Sequence, residues 1–114
     1  MIPSELFSGS LKTIILKLLK DEGPLHGYAI TQKVDEISGG KIKLSYGALY
    51  PVLYKLEKEK VLVADREIFN NRIRVYYTLT KKGKSVVEVK LRELGEFIES
   101  LQKIVESKPG LTYA

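Results

Sequence analysis

The chain has no cysteine, no tryptophan and a single histidine among its 114 residues. Without cysteine there is no disulfide framework, no thiolate zinc site and no cysteine nucleophile, a composition that fits a reducing compartment. His26 is the sole imidazole, and neither a His/Cys/Asp constellation nor a glycine-rich phosphate cradle appears. The sequence therefore predicts no enzyme, no metal and no cofactor. His26, next to Pro24 and Gly27, fits a helix-capping or packing role. No apolar run approaches the ~20 residues that span a bilayer, and no basic start leads into an apolar stretch. The expectation is a soluble, cytoplasmic protein with no membrane partner. Repeats, low-complexity tracts and long linkers are also missing.

What remains is enough for one small domain: 44% of the residues are hydrophobic, so a core can form. The net charge of +5 is unevenly spread. From Lys41 to Lys84 eleven basic residues face four acidic ones, a net of +7, which leaves −2 for the ends. A basic middle is what a phosphate-facing surface needs, although a solvated basic surface has the same composition.

Leu11, Ile14, Ile15, Leu18 and Leu19 recur at 3-4 spacing and predict an amphipathic helix over Gly9 to Glu22, with Ser10 as N-cap. Gly23-Pro24 ends it. Tyr28, Ile30, Val34 and Ile37 mark a second helix from His26 or Gly27 to Ser38. Lys41 to Leu44 alternates, as a short strand or an extended linker. Ser45 caps a third helix reaching about Lys60. Val61 to Phe69 and Ile73 to Leu79 carry the β-branched and aromatic content of strands, with Asn70-Asn71 at a hairpin tip. Thr80 caps a last helix, Lys81 to about Ser107, stopped by Pro109-Gly110 ahead of a frayed tail. Three helices followed by a hairpin make a mainly α winged helix-turn-helix. Residues 1–80 would form the reading domain, and 81–114 a dimerisation helix and tail.

Leu49, Leu53 and Leu56 fall within roughly 60° on a helical wheel and must face the core. Gly47, Tyr50, Pro51, Tyr54 and Lys58 fall on the flank and opposite side, free to lie in a groove. Ser45, Gly47 and Ala48 keep the leading end slim. Tyr46, Tyr50 and Tyr54 can donate to phosphates; they also fit core-boundary positions with wet hydroxyls. Pro51 costs about 3 kcal/mol inside a regular helix. Either Gly47 permits a bent or loosened first turn, or the regular helix begins near Pro51. In the hairpin, Arg66, Arg72 and Arg74 suit phosphate or a narrow minor groove, or they are charges that guard a strand edge. Ile73, Val75 and Tyr77 are expected to pack on the helices. The candidate DNA contacts are thus Lys43, Ser45, Tyr46, Gly47, Tyr50, Pro51, Tyr54, Lys55 and Lys58, with Arg66, Asn70, Asn71, Arg72 and Arg74 from the wing.

Val87, Leu91, Leu94, Ile98, Leu101 and Val105 repeat at 4-3-4-3-4, an a/d seam, widened by Phe97 and Ile104. A helix of this length outruns a small domain. Its outer part needs a partner, and the face of Leu11 and Ile15 is the obvious companion. A homodimer also holds two readers about 34 Å apart, one turn of DNA. Packing within one chain is the other reading of the stripe. Glu88 and Arg92, four apart, fit a surface pair.

His26-Gly27-Tyr28-Ala29-Ile30, Gly47-Ala48-Leu49-Tyr50-Pro51-Val52-Leu53, Leu56-Glu57 and the run from Arg72 to Gly83 resemble the PadR family of transcriptional regulators. Gly9-Ser10-Leu11 and Ile15 to Leu19 fit as well. The resemblance implies a homodimer that places its third helices in successive major grooves of a pseudo-palindromic operator, most members being repressors. It implies DNA contact by Tyr50 and the start of the third helix, and a wing-side role for Arg72 and Arg74. Ala48 stands where a hydroxylated residue is frequent, and Val75 where a basic one is. The C-terminal region is short, and without tryptophan the paired-tryptophan drug capture of some relatives is excluded. Two alternatives remain at this level. One is a winged helix that binds protein. The other is gating by a small aromatic or apolar effector at the dimer interface, with Phe7, Leu11, Phe97 and Leu101 as walls.

Overall fold

A computed structural model describes residues 1–110. A short helix, α1 (Ser4–Phe7), runs through a 3-10 turn (Ser8–Ser10) into α2 (Leu11–Glu22). The chain enters α2 already in helical geometry, so Ser10 makes no side-chain cap, contrary to its expected role. Gly23, at φ 81°, closes α2 in a conformation that favours glycine. Two residues, β1 (Leu25–His26), then lead into α3 (Gly27–Ile37). Lys41 to Leu44 is an irregular linker rather than a strand. The third long helix, α4 (Tyr46–Lys58), starts from Ser45, whose Oγ accepts from the Ala48 amide at 3.2 Å.

Strands β2 (Leu62–Phe69) and β3 (Arg72–Leu79) form the hairpin, and β1 adds to the other edge of β3, giving the antiparallel order β1-β3-β2. Leu25 pairs with Tyr77 and His26 with Tyr76. Asn70 and Asn71 both take positive φ, 50° and 61°, as a tight hairpin turn requires. Thr80 then starts α5 (Lys81–Glu106) by a double role. Its Oγ1 accepts from the Gly83 amide at 3.0 Å and donates to the Lys60 carbonyl at 2.6 Å. The helix stops before Pro109. The expected frayed tail, 111–114, lies outside the described residues.

One core serves every long element. Ile15 and Leu16 of α2, Ile30 of α3, Leu49, Leu53 and Leu56 of α4, Leu62 of β2 and Val87 of α5 are fully buried. Truncating any of these to alanine costs about 2–5 kcal/mol, as for large-to-small core changes generally. Leu11, Ile15 and Val87 were expected at the dimer seam, and the structure corrects this. They are closed into the single chain, because the α2 stripe finds its cover in the first turns of α5. Glu88 likewise pairs with Lys20 of α2 at 2.6 Å rather than with Arg92.

Beyond that point α5 has little among the described residues to pack on. Its 26 residues span about 39 Å at 1.5 Å per residue, and the molecule measures 65 × 30 × 21 Å. Leu91 and Leu94 are half-buried beside Ile14, Leu18 and Val34. Phe97, Ile98, Leu101, Ile104 and Val105 are all exposed, Val105 to 81%. Phe7 and Leu11 have almost no surface left for a ligand, so the four-residue effector pocket does not form as expected. No helix among the described residues is long and apolar enough to cross a membrane.

Candidate nucleic-acid interface

The leucine stripe of α4 fixes which of its sides stays outside. With Leu49, Leu53 and Leu56 buried, Tyr46, Gly47, Tyr50, Pro51, Tyr54, Lys55 and Lys58 are all exposed, together with the capping Ser45. Tyr54, at 75% exposure, is not a core-boundary residue. The helix is unbroken from Tyr46 through Pro51, so it does not begin at the proline. Because Pro51 has no amide, the Gly47 carbonyl has no partner four residues on and is left to solvent at the leading end. Lys43, just before the helix, is exposed but ion-paired to Asp35 at 2.6 Å, which offsets its charge in the free protein.

Tyr50 is held from below by a glycine. A Cβ on Gly27, the first residue of α3, would stand 2.9 Å from the Tyr50 Cζ and closer still to its hydroxyl. The bare glycine lets the phenol lie across the start of α3. Tyr46 packs on the same ring at 5.7 Å between centroids. Two aromatic side chains are thus seated while keeping polar edges in water.

The wing follows from the β2–β3 register. Phe69 lies opposite Arg72, Ile68 opposite Ile73, Glu67 opposite Arg74 and Arg66 opposite Val75. Opposed residues share a face. Arg66 is therefore on the face of Ala64, Val75 and Tyr77, which packs toward α4, whereas Arg72 and Arg74 are on the other. The Arg74 guanidinium sits 4.1 Å from the Phe69 ring centroid, a stacked cation held part-way out of water. Ile73 was expected to pack on the helices; it is exposed, because the hairpin has by then passed beyond the body of the domain. Val75 is half-buried and Tyr77 buried, as expected.

The hairpin and the leading end of α4 enclose a groove of about 770 Å³, with Tyr46, Tyr50, Arg72 and Arg74 among its walls. A second depression of about 550 Å³ runs along the outer side of α4, between Tyr54, Lys58 and Arg66. Tyr50 and Val75 border both, so Tyr50 stands on the ridge between them. Of the expected contacts, Tyr46, Tyr50, Asn70, Arg72 and Arg74 line the first hollow and Tyr50, Tyr54, Lys58 and Arg66 the second, so they meet on two adjoining hollows rather than one surface, and Lys43, Ser45, Gly47, Pro51, Lys55 and Asn71 line neither. Among the described residues, Lys55, Lys58, Arg66, Arg72 and Arg74 enter no ion pair.

Six wall residues were not anticipated as part of the site: His26, Gly27, Tyr28, Phe69, Ile73 and Val75. His26 caps α3, its Nδ1 accepting from the Ala29 amide at 3.2 Å, which keeps the proton on Nε2. Burial, and then the nearby Arg74 cation, hold its pKa below the ordinary imidazole range. The ring meets Tyr76 edge-on at 5.4 Å and lies parallel to Tyr28 at 6.4 Å. The Tyr77 phenol, on the packed face of the sheet, is pushed up mainly by burial. The motif His26-Gly27-Tyr28 was visible in the sequence, but only the pairing of β1 with β3 carries it to the wing.

The model of the transcriptional regulator PadR-like family matches residues 15–89. Transcriptional regulator Rv3488 of Mycobacterium tuberculosis is 32% identical over 75 residues, covering 66% of this chain and 67% of its own length. The solved structure of a transcriptional regulator from Clostridium thermocellum superposes with a TM-score of 0.81 at 26% identity, covering 93% of this chain and all of that one. A PadR family regulator from Eggerthella lenta shares the fold, with a TM-score of 0.76 at 24% identity over 91% of this chain and 88% of that one.

Proposed function

Because the chain belongs to the PadR-like family of transcriptional regulators, we propose that it acts as a homodimeric repressor. It would bind a pseudo-palindromic operator in double-stranded DNA, with α4 in the major groove and the wing on the flanking backbone. In this reading residues 1–80 read DNA and α5 pairs two copies. The family and its structural neighbours are regulators rather than enzymes.

One observation carries the reading of the site. The exposed side of α4 and the arginines of the wing border the same pair of hollows, and those cations are not already satisfied by carboxylates. Phosphates are the counter-charge that such a surface lacks. The slim start of α4, with Gly47 and Ser45 exposed, admits a base edge to within contact distance. Support for pairing comes from the far half of α5, where an apolar stripe has no cover among the described residues.

A mobility-shift assay with the duplex upstream of the protein's own gene, run at two salt concentrations, tests this. Two protomers per duplex and a steep loss of affinity with salt are expected. Binding that is indifferent to salt would place the contact with an apolar protein surface instead.

A further inference from the structure

Resting on the DNA-binding reading, we propose that the tip of the wing is an apolar wedge that enters the minor groove and bends the duplex. Ile68 and Ile73 face each other across the last regular pair of the hairpin but one, and are 82% and 68% exposed. A cross-strand aliphatic pair contributes only about 0.2–1 kcal/mol to a hairpin. That gain does not require it to stand bare in water, uncovered by the other described residues.

The pair's surroundings identify its partner. The face that carries Ile68 and Ile73 continues inward to Arg66 and Val75. The acids of β2, Asp65 and Glu67, are on the opposite face. The apolar step therefore has a free cation on its inner side and, on its outer side, the Asn70-Asn71 turn leading to Arg72. At about 3.4 Å per residue, Arg66 is about 7 Å from Ile68 along the strand. The minor groove is about 6 Å wide and rimmed by phosphates. An apolar centre with a cation on one side and side-chain amides on the other suits a groove floored by base edges and rimmed by phosphates. A symmetric contact with a second copy would instead bring the Arg66 charges together. Proteins that press aliphatic side chains between base steps in this groove kink the duplex by about 20–90°.

The test uses the whole dimer and a duplex that it selects from a random pool, labelled at both ends for energy transfer, with 2-aminopurine at the step under the wing. Ile68→Thr with Ile73→Thr is compared with Ile68→Val and Ile73→Val, which has the same shape without the hydroxyls. We expect the native protein and the valine pair to bend the duplex and brighten the probe. The threonine pair should lose most of both signals and bind about tenfold more weakly, with unchanged circular dichroism. A duplex as straight in the native complex as when free overturns the wedge. So does a threonine pair that bends like the native protein, or one that changes only the sedimentation of the protein. Failure to select any duplex would remove the DNA-binding reading itself.

Discussion

Replacing Gly27 with alanine should separate the fold from DNA binding. The added methyl would lie 2.9 Å from the Tyr50 Cζ, against an ordinary contact of 3.4–4 Å, and closer to the hydroxyl. The obstacle is the tip of one half-exposed ring. It can swing outward, so the clash is relieved by moving Tyr50 roughly 1 Å or more rather than by straining the backbone. Alanine also gains up to about 1 kcal/mol of helix propensity over glycine, less in a first turn. The net effect on stability should stay within about 1 kcal/mol, a few degrees in Tm for a chain of this size. The effect on binding should be larger. Tyr50 leaves the ridge between the two hollows and carries its contact with Tyr46 along. A tenfold loss of DNA affinity, about 1.4 kcal/mol, is the expected scale. The assay is a thermal melt paired with a titration of labelled duplex, repeated in a Tyr50→Ala background, where the glycine should no longer matter to binding. Undiminished affinity in the single variant, or a collapse of the melt, would refute the reasoning.

Gly83→Ala is the counterpart, because there the methyl meets the Val61 carbonyl, its carbon at 3.2 Å, and backbone cannot swing aside. It should destabilise by about 1–3 kcal/mol, seen as a lower Tm, and a native-like melt would show that the two segments have room to part. Ile98→Lys should yield a monomer by sedimentation with the helical spectrum intact; a variant that stays dimeric would move the pairing surface elsewhere. The His26 pKa is lowered in the folded state by burial and by Arg74, so the unfolded chain takes up its proton first. Stability from this residue is therefore full above the ordinary imidazole value of 6.5 and is lost as pH falls through the lower folded value. His26→Asn, which caps without titrating, should flatten the dependence of Tm on pH below 6.5, and identical profiles would count against the cap.

The long helices and the hairpin were legible because periodicity, caps and turn residues agreed. Ser45, Thr80 and the Asn70-Asn71 pair each do locally what their chemistry requires. The two-residue β1 was not legible: Leu25–His26 is too short to alternate and is set between a proline and a helix. Its loss hid part of the site, since only its pairing with Tyr76 and Tyr77 brings His26 and Tyr28 to the wing. Ser10 failed as a cap because the 3-10 turn before it had already begun the helix. The α5 stripe misled for a different reason. A heptad seam records that Val87 and Ile98 are apolar and aligned, not that the first is covered by α2 and the second left exposed among the described residues. Ile73 shows the same limit, alternating like a core residue on a strand that had left the core.

The central claim is that α4 and the wing border two adjoining hollows that face phosphate together, displayed twice. Its most direct measurement is the slope of log affinity against log salt for the native protein and for Arg72→Ala with Arg74→Ala. Removing four guanidinium groups per dimer should lower the slope by about 3 to 4 while the Tm holds. A variant with the native slope would mean that the wing arginines touch no phosphate, and the surface described here would not be the one that meets DNA.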